Sequence, residues 1–287
     1  ANVADGAAAR AARQAPVEGV GLFRTELCFL ERDSEPSVDE QASIYGEVLE
    51  AFAGHKVVIR TLDAGSDKPL KFVTTPAEAN PALGVRGFRI VAHNAELVAR
   101  QLDAIAVAAE RTGNAPWVMA PMIATADEAR QFAGLARDRG LHPGVMIEVP
   151  AAALLAGRLL EHVEFLSIGT NDLAQYTMAA DRMSSDLATL TDPWQPGVLA
   201  LVAATARAGA AVGKPVGVCG EAAADPMMAC VLTGFGVTSL SAAASAVTPV
   251  GAKLATVTLQ QCRDAADAVL ATATPAQARE AAMAVLG

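Results

Sequence analysis

The chain has 287 residues, 52% of them hydrophobic and 18% charged, with a net charge of −9. That length allows one large domain or two small ones with a sizeable core, and the apolar content excludes general disorder. The negative charge argues against a nucleic-acid surface.

The start, Ala1-Asn2-Val3-Ala4-Asp5, lacks a basic segment followed by an apolar stretch, so no secretory signal is expected. Short apolar runs of strand length then recur, each closed by a polar or charged residue. The first, 19–23, ends at Arg24, and 57–59 ends at Arg60. A weaker run is read near 83–90. Next come 117–122, then 144–147 ending at Glu148, then 165–168 running into Gly169-Thr170-Asn171-Asp172. The run 216–218 ends at Cys219, and 237–241 reads as the last strand. Ala-rich stretches of helical period fill the intervals, over 39–52, 96–111, 126–139, 151–160, 196–212 and 225–234. Thr125-x-x-Glu128 reads as a capping box, and Gly140 follows Arg137 and Arg139 as a helix stop. No apolar stretch reaches the roughly 18 residues that span a bilayer, so no membrane segment is expected.

Alternating strands and helices imply a parallel sheet, and continuously apolar strands imply burial on both faces. The spacing predicts an α/β fold of the (β/α)₈ TIM-barrel type as a single domain. No GxGxxG or Walker loop favours a doubly wound sheet. In such a barrel the C-terminal strand ends converge on one face, which gathers Arg24, Arg60, Glu148, Asn171, Asp172 and Cys219. A charge that closes a buried apolar run is costly without a partner or ligand. Arg86, Arg89 and Arg182 are further candidates in loops.

Seventeen of the 22 basic residues are Arg. Each alone reads as a surface or salt-bridge residue. Several around one cavity repel each other and call for an anion, and phosphate accepts their paired N–H bonds. Glu148 and Asp172 are oxygen donors of the kind that hold Mg²⁺, or else partners of the arginines. Cys219 reads as a small core residue, or as an acid or nucleophile at the mouth of the barrel. Cys28, Cys219, Cys230 and Cys262 lack CxxC spacing, so reduced thiols in a cytoplasmic protein are expected. His55, His93, His142 and His162 fall at helix ends or loops and read as surface residues.

Several strings resemble the signatures of phosphoenolpyruvate-utilising enzymes. They are Gly19-Val20-Gly21-Leu22-Phe23-Arg24-Thr25-Glu26, Ile59-Arg60-Thr61-Leu62-Asp63, Asn80-Pro81-Ala82-Leu83-Gly84-Val85-Arg86-Gly87 and Met146-Ile147-Glu148-Val149-Pro150-Ala151-Ala152. The most specific, Ser167-Ile168-Gly169-Thr170-Asn171-Asp172-Leu173-Ala174-Gln175-Tyr176-Thr177, followed by Ala179-Ala180-Asp181-Arg182, resembles enzyme I of the phosphoenolpyruvate:sugar phosphotransferase system. Val218-Cys219-Gly220-Glu221 completes the set, in order.

The resemblance implies a phosphoenolpyruvate-binding (β/α)₈ barrel over 18–287, behind a linker or helix remnant at 1–17. It implies Mg²⁺ on Glu148 and Asp172. It places the substrate on Arg24, Arg60, Arg86, Asn171, Asp172 and Arg182, and makes Cys219 the proton donor that turns the enolate into pyruvate. It further implies a cytoplasmic homodimer, and an N-terminal phospho-His domain that serves the carrier HPr in the full-length enzyme. No nucleic-acid or membrane partner is implied. This chain alone is then expected to bind substrate without completing transfer. Met183-Ser184-Ser185 and Gln195 depart from the pattern. Competing readings are a pyruvate phosphate dikinase or phosphoenolpyruvate synthase domain, a Mg²⁺-dependent aldolase or lyase barrel, and a ligand-sensing dimerisation module without turnover.

Overall fold

The computed structural model describes residues 1–30, 32–65, 69–73 and 78–287. Eight parallel strands alternate with helices, which makes the chain an α/β protein of the (β/α)₈ barrel class. By internal contacts it divides into two compact units. The first comprises Ala1–Ile123 with Asp127–Val145, and the second Ala124–Ala126 with Met146–Gly287.

In the first unit the strands are β1 (Asn2–Val3), β2 (Gly19–Arg24), β3 (Lys56–Arg60), β4 (Trp117–Ala120) and the start of β5 (His142–Ile147). They pair in chain order. The helices are α1 (Gly6–Ala12), α2 (Val38–Ala51), α3 (Val91–Thr112) and most of α4 (Ala126–Arg137). The strands form because Val57, Ile59, Val118, Met119 and Val145 are apolar and fully buried. A Ser37–Glu40 capping box starts α2. Edge-to-face packing of Phe23 on Tyr45 fixes α2 against β2, with ring centroids 5.9 Å apart.

The strand read near 83–90 and the placement of His142 change here. Residues 1–17 hold β1 and α1, and Asn2 and Val3 pair with Leu22 and Phe23. The remaining strand of the barrel is therefore at Asn2–Val3 and not at 83–90. That stretch forms two 3-10 turns, Pro81–Leu83 and Gly87–Ile90, because Pro81, Gly84 and Gly87 break an extended run. His142 also opens β5 and does not lie in a loop.

In the second unit the strands are the end of β5, β6 (Phe165–Gly169), β7 (Val216–Cys219) and β8 (Ser239–Ser241). β6, β7 and β8 pair in chain order. The helices are α5 (Pro150–Leu154), α6 (Ala156–Leu159), α7 (Thr170–Met178), α8 (Pro196–Val212) and α9 (Pro226–Phe235). Beyond β8 lie α10 (Ala244–Leu254), α11 (Leu259–Leu270) and α12 (Pro275–Leu286). Asp225 caps α9 through the N–H groups of Met227 and Met228, and Pro226 needs no partner at the first position. All four cysteines are buried. Among the described residues no helix is long and apolar enough to cross a membrane.

Candidate functional site

The first unit carries the arginines. β2 holds one more residue than β3 between the pairs Val20↔Val57 and Phe23↔Ile59, a bulge that brings Arg24 opposite Arg60 at the ends of adjacent strands. Arg24 is exposed, and among the described residues no ion pair engages it. Arg60 is buried. Its Nη2 donates to Glu26 Oε1 at 2.8 Å, and its Nη1 lies 3.5 Å from Asp63 Oδ2. Arg86 is buried too and grips the same Asp63 in bidentate fashion, Nε to Oδ1 at 3.2 Å and Nη2 to Oδ2 at 2.8 Å. The Asp63 N–H donates to Glu26 Oε1 at 3.1 Å. Among the described residues, two guanidiniums and two carboxylates thus make a buried cluster of balanced charge.

This changes one inference from sequence. The buried arginines do not by themselves call for an external anion, because Glu26 and Asp63 neutralise them. Only Arg24 presents uncompensated charge among these three. Glu26 and Asp63 were missed as functional residues although both lie inside the recognised strings. Their signal was a carboxylate two or three positions beyond a strand-ending Arg.

Arg86 is placed by Gly87, whose φ is +57°; its N–H donates to Ala64 O at 3.0 Å. A Cβ at Gly87 would stand 2.9 Å from Met122 Cβ, so only glycine fits. Met122 itself has φ +61°, an unfavourable value for a side-chain-bearing residue. Arg89, a loop candidate, donates instead to the Leu83 and Gly84 carbonyls and serves the turn.

Thr25 Oγ1 donates to the Arg60 carbonyl at 2.9 Å, and Gln101 and Tyr45 join the network behind it. Burial raises the Tyr45 hydroxyl well above the ordinary tyrosine range. Burial likewise pushes the Cys28 thiol up to about 12, and the Glu26 carboxylate adds to the rise.

The second unit carries the carboxylates and the thiol. Glu148 is 1% exposed and Asp172 7%. Glu148 Oε2 lies 3.1 Å from where a Cβ on Gly169 would stand, so a glycine keeps the space beside this carboxylate open. Asp172 sits in the first turn of α7, directly after Gly169. Two buried carboxylates flanking a strand-to-helix junction are hard oxygen donors that fit a divalent cation whose remaining positions go to water and substrate. Among the described residues no three His, Cys, Asp or Glu side chains form a metal cluster.

Cys219 closes β7, in register with Gly169 of β6. Its Sγ donates to Ile168 O at 3.5 Å, and Ser167 Oγ donates to Sγ at 3.9 Å. The thiol thus donates one hydrogen bond and accepts another. Gly220 follows with φ +103°, and a Cβ there would stand 2.7 Å from Thr170 Oγ1 and 3.0 Å from Asn171 Oδ1. Across that turn Asn171 accepts from the Glu221 N–H at 3.2 Å and donates to Glu221 Oε1 at 3.4 Å. Arg182 is exposed in the turn after α7. Its backbone N–H donates to Gln175 Oε1 at 3.0 Å, and Met183 N–H to Asp181 Oδ1 at 2.9 Å. The departure at 183–185 therefore leaves that turn closed.

Residues 1–259 match the family described as PEP-utilising enzyme, PEP-binding domain. The chain is 53% identical over 271 residues to a Streptomyces coelicolor phosphoenolpyruvate-protein phosphotransferase, covering 93% of this chain and 49% of that protein. It is 43% identical over 273 residues to a Rhodobacter capsulatus multiphosphoryl transfer protein, covering 93% and 33%. The chain thus spans about half or less of the length of these relatives. Among solved structures it resembles a HpcH/HpaI aldolase/citrate lyase family protein from Burkholderia cenocepacia. The TM-score is 0.53 at 17% identity, over 91% of this chain and 94% of that one, a likeness of fold alone.

Proposed function

The chain belongs to the PEP-utilising enzymes, as a PEP-binding domain, and on that premise we propose that it is the phosphoenolpyruvate- and Mg²⁺-binding part of a phosphoenolpyruvate-protein phosphotransferase. In this reading the whole enzyme starts sugar phosphotransfer in the cytoplasm as a homodimer. It passes phosphoryl to a His on an N-terminal domain, which hands it to HPr, and it releases pyruvate. The binding domain includes the part expected at 18–287, and β1 and α1, which precede that part, add its opening strand and helix. The observation that carries the reading is the bulge that sets Arg24 beside Arg60 at the ends of β2 and β3, each inside a string that resembles the signatures of phosphoenolpyruvate-utilising enzymes.

Arg24, Arg60, Arg86 and Arg182 are the phosphate-binding residues of this reading. Asn171 and Asp172 touch the substrate, and Glu148 and Asp172 hold Mg²⁺. When bound, the ion offsets negative charge on substrate oxygens. Arg60 and Arg86 are fixed in advance by Glu26 and Asp63, so little reorganisation is needed as charge moves. As the P–O bond breaks and phosphoryl departs to the His, the electron pair stays with the enolate. Cys219 Sγ then gives its proton to the enolate methylene carbon, and Ser167 Oγ–H supports the thiolate left behind.

The test is exchange of pyruvate methyl protons with deuterated solvent, run with this chain and Mg²⁺. Exchange that is lost in Cys219→Ala supports the assignment. Equal exchange in both removes Cys219 from the chemistry. An aldolase or lyase reading has the fold in its favour and nothing more.

A further inference from the structure

We propose that Gln101 is a positioning residue that fixes the spacing of Arg24 and Arg60 for the substrate phosphate, an inference that rests on the phosphoenolpyruvate reading. Gln101 lies in the middle of α3 and is 1% exposed. A buried amide is costly unless its groups are bonded. Here the carbonyl oxygen accepts the Leu62 N–H at 2.9 Å, and the amide nitrogen donates to Thr25 Oγ1 at 3.0 Å and Tyr45 OH at 3.1 Å.

The partners are informative. Thr25 directly follows Arg24, and Leu62 lies two residues beyond Arg60. One amide therefore spans the gap between the segments that leave β2 and β3. The direction of every bond is fixed. Thr25 Oγ1, having accepted from Gln101, donates to the Arg60 carbonyl at 2.9 Å. Tyr45 OH, having accepted from Gln101, donates to Gln41 Oε1 at 3.0 Å, and Gln41 Nε2 donates to Pro36 O at 2.9 Å. Turning the amide round would set its oxygen against two hydroxyls already committed as donors elsewhere. It would also aim an N–H at the Leu62 N–H. The chain of bonds thus admits one arrangement, and that arrangement ends on the carbonyl of Arg60. A bulge in β2 brings the two arginines into register, and Gln101 holds the segments beyond them at one separation.

Gln101→Glu keeps the shape but replaces the donating nitrogen with an acceptor. Thr25→Val keeps the volume and deletes the hydroxyl, and Thr25→Ser restores it. Calorimetry with Mg²⁺ compares phosphoenolpyruvate with pyruvate, which lacks the phosphate. Near-ultraviolet dichroism reports folding. Affinity for phosphoenolpyruvate is expected to fall about tenfold in Gln101→Glu and Thr25→Val, the size of one lost buried hydrogen bond. It should return in Thr25→Ser, while pyruvate affinity stays within about twofold throughout. Should Gln101→Glu not fold, the Thr25 pair decides. Unchanged phosphoenolpyruvate affinity in folded variants overturns the positioning role, as does a parallel loss for both ligands. If the unaltered chain binds no phosphoenolpyruvate, the functional reading itself fails, an outcome distinct from those two.

Discussion

Replacing Arg86 by Met tests whether the buried cluster is balanced as its geometry implies. Arg86 and Asp63 have side chains 4% and 2% exposed and share two hydrogen bonds, at 3.2 and 2.8 Å. Removing the guanidinium strips Asp63 of its bidentate partner, and breaking a buried pair in this way costs about 3–5 kcal/mol. Against a total stability of roughly 5–15 kcal/mol, that loss is large. The double variant Arg86→Met with Asp63→Leu removes both charges and should lie within about 1–2 kcal/mol of the parent, because apolar replacement of a whole buried pair is often neutral. Arg60 keeps Glu26 at 2.8 Å in that variant. Urea unfolding followed by circular dichroism gives both values. A single-variant cost below about 1 kcal/mol, or a double variant no better than the single, would refute the reasoning.

Arg24→Ala is expected to leave stability within about 0.5 kcal/mol, since the side chain is exposed. Its calorimetric affinity for phosphoenolpyruvate should fall by about 2–5 kcal/mol, the cost of truncating a charge-paired anchor; unaltered affinity counts against the phosphate role. Gly220→Ala should cost about 1–3 kcal/mol in thermal unfolding, because its φ of +103° and the 2.7 Å approach to Thr170 Oγ1 both exclude a Cβ. A neutral substitution there would show that the turn between Cys219 and Glu221 relaxes freely. The Cys28 thiol, raised from 9.0 to about 12, binds its proton more tightly folded than unfolded. Its contribution is therefore complete below pH 9 and is lost as pH rises toward 12. Denaturant midpoints measured from pH 7 to 10.5 should fall at the alkaline end, less so in Cys28→Ala, and identical profiles would contradict the assignment.

Seven strands were legible because each is a short apolar run closed by a polar or charged residue, as at Arg24, Arg60, Glu148 and Cys219. The remaining strand was not, since Asn2–Val3 is too short to show a period and becomes a strand only by pairing with Leu22 and Phe23. The sequence pattern does not mark the three helices after β8 either, although Thr258 with Gln261 forms a capping box at the start of α11. The site residues were legible as strand ends and shared strings. Their charge balance was not. Nothing in the spacing tells whether Asp63 turns toward Arg60 and Arg86 or toward solvent, so the arginines looked more exposed to anions than they are. The bulge in β2 and the reach of Gln101 from α3 depend on tertiary contacts that no local pattern records.

The central claim is that this chain by itself holds phosphoenolpyruvate with the help of a divalent ion. Isothermal titration with phosphoenolpyruvate in Mg²⁺, repeated in excess chelator, tests it most directly. Saturable binding that weakens sharply without Mg²⁺ is the predicted result, and absence of heat in both conditions, or equal affinity in both, would contradict it.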